Sequence, residues 1–257
     1  MIGPATHRAD APDVGPAGPD PRHDLDDALR TVAEATERFL NDVAALTDDD
    51  VAGATRIPPW TRGHVVTHVA RAADSYCRLL AGAVEGHEVP QYASMAFRAE
   101  QIEAGARRPV AELVGDVREA STAFADTIRD LPGHAWAAHV RMRPGELRAP
   151  AALPWIRLRE IEVHHVDLDV GYGFADIPTD TAGWIVDDIL FELGRRDPVP
   201  AVHLLAEDAD LHRRLGPPTP CLRGTQAALL AWLSGRSSGD DLVRDESAAL
   251  EDAPYWI

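Results

Sequence analysis

Apolar residues first recur with a helical period at Leu25, Leu29, Val32, Ala35, Phe39, Val43 and Leu46, in steps of three and four that place one stripe on a helix starting near Asp24. A second helix is predicted after Thr61, a natural N-cap, running through RGHVVTHVARAADSYCRLLAGAV to about Val84, with Gly86 placed to stop it. A short helix around 97–106 follows. Then comes a longer one with Pro109 in its first turn and Leu113, Val117, Phe124 and Ile128 on its stripe, ended by Leu131, Pro132 and Gly133. Residues 136–148 read as an irregular hairpin turning at Pro144 and Gly145. Helical spacing resumes over roughly 154–170 through Ile156, Ile161, Val163 and Leu168, and Gly171 and Gly173 are stop signals. Four principal helices with inward-facing chemistry suggest an antiparallel four-helix bundle.

Beyond about Phe174 the texture changes. A helix over 181–196, a short apolar strand over 199–206, a Pro-rich turn and a clear short helix within GTQAALLAWLSGR (224–236) predict a smaller α+β domain. The fold class expected is therefore mainly α with a smaller α+β part. It divides into a disordered leader over residues 1–24, a helical bundle over 25–173 and an α+β C-terminal domain over 174–257. The leader carries five prolines and no apolar stretch, unlike a signal peptide. The tail Pro254, Tyr255, Trp256, Ile257 is apolar enough to dock.

Composition narrows the partners. The 257 residues carry 25 basic against 42 acidic side chains, a formal net charge of −17, which repels nucleic-acid phosphates and anionic membrane surfaces. No apolar run approaches the roughly 18–20 residues of a membrane helix, so the expectation is a cytoplasmic protein with neither nucleic-acid nor membrane partners. There is no lysine, so all 25 basic residues are arginine. Schiff-base and phosphate-loop lysines are excluded, and an anion in any site must meet arginine, histidine, backbone amides or a metal. The two cysteines, Cys77 and Cys221, form neither a CxxC pair nor a zinc-finger spacing. They read as small buried residues rather than nucleophiles.

Two stretches carry candidate chemistry. His64 and His68 lie one helical turn apart on a common face, without the glutamate that an HExxH protease needs. REIEVHHVDLD packs Glu160, Glu162, His164, His165, Asp167 and Asp169 into ten positions, a density that a purely structural helix rarely has. Glu160 and His164 share one face and Glu162 and His165 another, so one pair is expected inward and the other toward solvent; the run Glu160, His164, Asp167 beside the apolar stripe favours the first as the inward pair. One histidine of the second helix with Glu160 and His164 makes three protein ligands and leaves a position open, the pattern of catalytic zinc; imidazole and carboxylate also suit other divalent metals. His64, His165, Asp167 and Arg159 are candidates to hold the ligands from outside, Asp167 first among them.

PWTRGHVVTHVA (59–70), QYASMAFRAEQIEAGA (91–106), PWIRLREIEVHHVDL (154–168) and GTQAALLAWLSGR (224–236), in this order, resemble the motifs of the mycothiol-dependent maleylpyruvate isomerase family. The resemblance runs from about residue 25 to the end. It implies a DinB-like four-helix bundle, zinc held by His68, Glu160 and His164, and mycothiol as the thiol cofactor. It also implies a role for Arg98 and Arg236, whose guanidinium groups suit bidentate capture of substrate carboxylates. The implied reaction is conversion of maleylpyruvate to fumarylpyruvate by thiolate addition to the cis double bond, rotation and elimination. Gln91, where the family commonly has Met before the Tyr, and SMAF ahead of Arg98 depart from the pattern on the substrate side. Two alternatives stand beside the isomerase: a mycothiol S-transferase that leaves the thiol on a xenobiotic or biosynthetic electrophile, and a non-catalytic partner or regulatory protein that retains the bundle.

Overall fold

The computed structural model of the protein describes residues 25–244 and residue 253, so the predicted leader and the tail 254–257 lie outside the described residues. Four long helices, α1 (Leu25–Ala44), α2 (Arg62–Glu85), α4 (Val110–Arg129) and α5 (Leu153–Asp167), form a bundle in which α1 and α2 each pack against both α4 and α5. The shorter α3 (Met95–Gly105) lies on α2. Phe39 of α1, Tyr76 and Leu80 of α2, Phe124 of α4 and Ile156 and Ile161 of α5 are all buried in one apolar core. The spacing of three and four that located these helices is the spacing that buries them. Gly86 ends α2 with φ 73°, a left-handed conformation that an L side chain resists.

Between α4 and α5 the chain makes the two-residue strands β1 (Val140–Arg141) and β2 (Leu147–Arg148), paired antiparallel around Pro144 and Gly145. This is the hairpin expected from the turn residues. Its tip is pinned from below. The backbone N–H of Arg143 donates to Gln91 Oε1 at 2.7 Å, and the Gln91 amide, only 8% exposed, donates onward to Ser75 Oγ on α2 at 3.0 Å.

After α5 come α6 (Thr179–Leu193), β3 (Val202–Ala206), β4 (His212–Leu215), β5 (Leu222–Gly224), α7 (Gln226–Leu233) and β6 (Val243–Arg244). The strands form a sheet in the order β4-β3-β5-β6, with β3 and β5 parallel and the other neighbours antiparallel. The sequence showed only β3. The other three strands are two to four residues long and carry no alternation of their own that stands out from a loop. A second core collects Ile185 and Ile189 of α6, Leu204 of β3 and Leu229 and Leu233 of α7, together with Val163 and Val166 of α5.

The helix α5 thus serves two cores, and all of its residues except Trp155 and Glu160 are buried. This corrects the expectation that the Glu162 and His165 pair faces solvent. Both side chains are buried: Glu162 accepts from Arg38 Nη2 at 2.7 Å and from Tyr172 Oη at 2.6 Å, and His165 pairs with Asp42 and stacks on the Tyr172 ring. The physical reason is that α1, through Arg38, Phe39 and Asp42, and the loop residue Tyr172 cover this face where a lone helix would meet water.

Among the described residues no helix is long and apolar enough to cross a membrane. The seam between the two cores holds a buried charge cluster. Asp188 of α6, fully buried, meets Arg148 of the hairpin at 2.8 Å and Arg159 of α5, and Glu192 reaches the same two arginines. Substituting Asp188→Ala leaves Glu192 as the main carboxylate answering two buried guanidinium groups and is expected to cost about 3 kcal/mol, more than Asp188→Asn. The midpoint of urea unfolding measures it, and an unchanged midpoint would show that the cluster does not hold the seam.

Candidate metal and anion site

The helices α2 and α5 face one another in the bundle, which brings one residue of the first against two of the second. His68 Nε2 stands 3.3 Å from Glu160 Oε2, and His164 Nε2 stands 3.7 Å from the same oxygen. One ligand atom from each of the three residues falls within 4.8 Å of the others. The two imidazoles meet edge to face with ring centroids 4.7 Å apart. The residues drawn together are therefore His68, Glu160 and His164. His64 is turned elsewhere: its Nδ1 accepts from the Thr61 backbone N–H in the helix cap and its Nε2 meets Glu103 at 2.9 Å.

The remaining nitrogens of the two imidazoles are held from outside. His164 Nδ1 meets Asp167 Oδ2 at 2.8 Å, and Asp167 in turn accepts two hydrogen bonds from Arg236, from Nε at 3.1 Å and from Nη2 at 2.9 Å. Asp167 is the residue expected first in this place. Arg236 stands just past α7, and it is the link by which the C-terminal part reaches the cluster. His68 Nδ1 accepts from Arg98 Nη2 at 3.2 Å, since a guanidinium can only donate. The imidazole proton then sits on Nε2, directed at Glu160. The Arg98 guanidinium lies over the rings of Trp60 and Tyr92, 5.7 and 5.4 Å from their centroids.

Burial sets the protonation of this group. Desolvation pushes the His68 imidazole down from its ordinary 6.5 to about 4, outweighing the nearby Glu160 carboxylate, so the ring is neutral at pH 7. Burial pushes Glu160 up, but the hydrogen bond from His68, the flanking imidazoles and the Arg159 guanidinium more than reverse it, and the carboxyl lies well below the usual range. Asp167 is likewise pushed up by burial and brought down further by His164 and Arg236, to about 2. The neutral His68 imidazole, the His164 imidazole beside it and the ionised Glu160 carboxylate make up the kind of donor set that suits a divalent cation of borderline softness.

The cluster lies on the wall of a cavity of about 800 Å3 that is also lined by Trp60, Tyr76, Tyr92, Met142, Arg98 and Arg236. Arg98 and Arg236, the two expected anion holders, both reach it. Arg236 does so with three of its donors spent, two on Asp167 and one on the Ser234 carbonyl. Sequence reasoning passed over the aromatic pair that supports Arg98, and over Arg143 and Glu146 of the hairpin, which line the same cavity. Neither hairpin residue lies in a pattern that a one-dimensional reading marks. The two cysteines bear out their plain reading: Cys221 is buried, and half-buried Cys77 has its thiol pushed up by burial, the opposite of a reactive thiolate.

The sequence profile of the family described as Mycothiol maleylpyruvate isomerase N-terminal domain matches residues 32–169. The fold is similar to that of a mycothiol-dependent maleylpyruvate isomerase at 23% identity and a TM-score of 0.77, over 90% of this chain and 97% of that one. It is equally similar, at 22% identity, the same TM-score and the same coverage, to a histidine-to-alanine mutant of a mycothiol-dependent maleylpyruvate isomerase. The architecture is accordingly the DinB-like four-helix bundle with a small α+β part behind it. No curated protein matches the chain in sequence.

The neutral state of His68 has a consequence for stability. The unfolded chain protonates this ring near pH 6.5 and the folded chain only near 4. Metal-free protein is therefore expected to lose stability as pH falls across that window, by on the order of 3 kcal/mol from this residue. His165, also pushed down by burial, adds to the same trend, and Asp167 adds a loss only below the ordinary carboxylate range. Urea titrations of metal-free protein between neutral pH and about pH 4.5 read this slope. A flat profile, or one that His68→Gln leaves as steep, would contradict a neutral His68.

Proposed function

The chain belongs to the mycothiol maleylpyruvate isomerase family, and on that premise we propose that it is a cytoplasmic zinc- and mycothiol-dependent isomerase that converts maleylpyruvate to fumarylpyruvate. The observation that carries this reading is the convergence of His68, Glu160 and His164 within 4.8 Å on the wall of a cavity that also holds Arg98. His68 and His164 would hold the metal through Nε2 and Glu160 through a carboxylate oxygen. The His164 Nδ1 is fixed by Asp167, the outer carboxylate that a zinc-bound imidazole usually has. Bound together in this cavity, zinc and mycothiol supply a thiolate nucleophile at neutral pH.

The protein's own groups do the rest. Asp167, held by the Arg236 fork, keeps His164 in one orientation and one tautomer. Trp60 and Tyr76 give the cavity apolar walls that exclude water and strengthen each charge interaction inside. Arg98, supported on Trp60 and Tyr92, directs donors at a substrate carboxylate and at the negative charge that builds on the conjugated carbonyl oxygen. One of those donors also meets His68 Nδ1, at 3.2 Å. Holding a metal through Nε2 would require the His68 ring proton on Nδ1, where it would compete with the Arg98 donor, so Arg98 would be available to the substrate.

A second reading, mycothiol S-transfer, is favoured by the commitment of Arg236 to Asp167, since conjugation needs only one anion anchor where a dicarboxylate isomerase has use for two. The two differ in the fate of the thiol, which the isomerase regenerates and the transferase leaves on the product. Zinc-loaded protein is expected to convert maleylpyruvate with mycothiol and not without it, followed by ultraviolet absorbance. His68→Ala is expected to abolish both turnover and stoichiometric zinc, and Asp167→Asn to weaken zinc binding about 10- to 100-fold. Zinc binding with no turnover, and with mycothiol retained on an electrophile, would move the assignment to the transferase.

A further inference from the structure

With no lysine in the chain, the anion-binding capacity of the cavity rests on the arginines that line it: Arg98, Arg143, Arg159 and Arg236. Three have acceptors inside the protein. Arg159 is buried against Asp188, Glu192 and Glu160. Arg236 is forked on Asp167 and bonded to the Ser234 carbonyl. Arg98 rests on His68, and its Nε is buried without a hydrogen-bond partner, so it retains capacity for an incoming acceptor. The Arg143 guanidinium, alone of the four, has neither hydrogen bond nor ion pair among the described residues. In a chain with 42 acidic against 25 basic residues, carboxylates are in excess, yet this cation on the wall of the cavity is left without one.

Its backbone is not loose. The Arg143 N–H is tied to the buried Gln91 amide, which is tied to Ser75 of α2, and the turn is closed by the Gly145 N–H donating to the Met142 carbonyl at 2.9 Å. The anchored tip places Arg143 on the wall of the cavity that is also lined by Arg98, His68, Glu160 and His164.

We propose that Arg143 is the second carboxylate anchor: it and Arg98 hold the two carboxylates of a dicarboxylate substrate, while Arg236 acts through Asp167 as a positioning residue. This deepens the isomerase reading and rests on it. Maleylpyruvate carries a carboxylate at each end of a seven-carbon chain, so an inert probe pair exists in pimelate, with both carboxylates, and heptanoate, with one.

Calorimetric titration of the zinc-loaded protein is expected to show pimelate binding about tenfold or more tighter than heptanoate. In Arg143→Ala, pimelate affinity falls about 10- to 100-fold while heptanoate affinity stays close to wild type. Arg143→Lys, which keeps the charge and loses the fork, falls between. In steady-state kinetics the KM for maleylpyruvate rises by a similar factor and the KM for mycothiol does not. Arg143 is exposed, so the variant is expected to fold, and a thermal melt checks this. The proposal is overturned if wild type binds the two probes equally, if Arg143→Ala binds pimelate as wild type does or loses both probes alike, or if Arg236→Ala alone produces the pimelate-selective loss. The probes do not depend on turnover. A protein that discriminates pimelate through Arg143 but never converts maleylpyruvate would retain this anchor and lose the isomerase assignment.

Discussion

Everything near the site follows from one constraint: α5 is enclosed on nearly every side and yet carries Arg157, Arg159, Glu160, Glu162, His164, His165 and Asp167. A buried charge without a partner costs several kcal/mol, so the helix cannot be packed by apolar neighbours alone. Each neighbouring element supplies an answering group. Arg38 of α1 and the loop residue Tyr172 answer Glu162, the Val69 carbonyl of α2 and Ser121 of α4 answer Arg157, and α6 answers Arg159 with Asp188 and Glu192. The geometry of the two cores is thus set by pairing requirements as much as by the filling of space.

The position of the site is a consequence. Glu160 is the one charged residue of α5 that is not fully enclosed, and it stands where α2, the hairpin and the C-terminal part leave the cavity between them. The same enclosure keeps the imidazole of His68 neutral and the carboxyl of Glu160 ionised, the protonation states that metal ligands need, before any ion arrives. Arg236 reaches Asp167 only if the C-terminal part is docked. Docking of that part and the orientation of His164 are therefore coupled through a single pair of hydrogen bonds.

How much of this the sequence discloses depends on whether the controlling interaction is local. The helices α1, α2 and α4 are amphipathic, and their stripes are legible because each meets water on its other side. The density of titratable residues marks α5 as chemical, and helical spacing pairs Glu160 with His164 correctly. The same spacing says nothing about what lies opposite Glu162 and His165, which depends on α1, more than a hundred residues earlier, and on the loop residue Tyr172. The strands β4, β5 and β6 are short enough that their pairing is visible only in three dimensions. Arg143 is beyond reach for a related reason. Its significance is the lack of a partner, and that is a property of the whole neighbourhood.

The charge balance of the protein resolves on the same terms. A net charge of −17 would disfavour any dianion at long range, but screening at physiological ionic strength confines that repulsion to about 8 Å. Inside the cavity what counts is which cations are already neutralised. Arg159 and Arg236 face internal carboxylates and contribute position rather than attraction, whereas Arg98 and Arg143 keep donors that no internal carboxylate takes. An acidic protein can therefore hold an anionic substrate without a basic surface, provided that its internal carboxylates are matched to particular arginines and leave the remaining ones to the ligand.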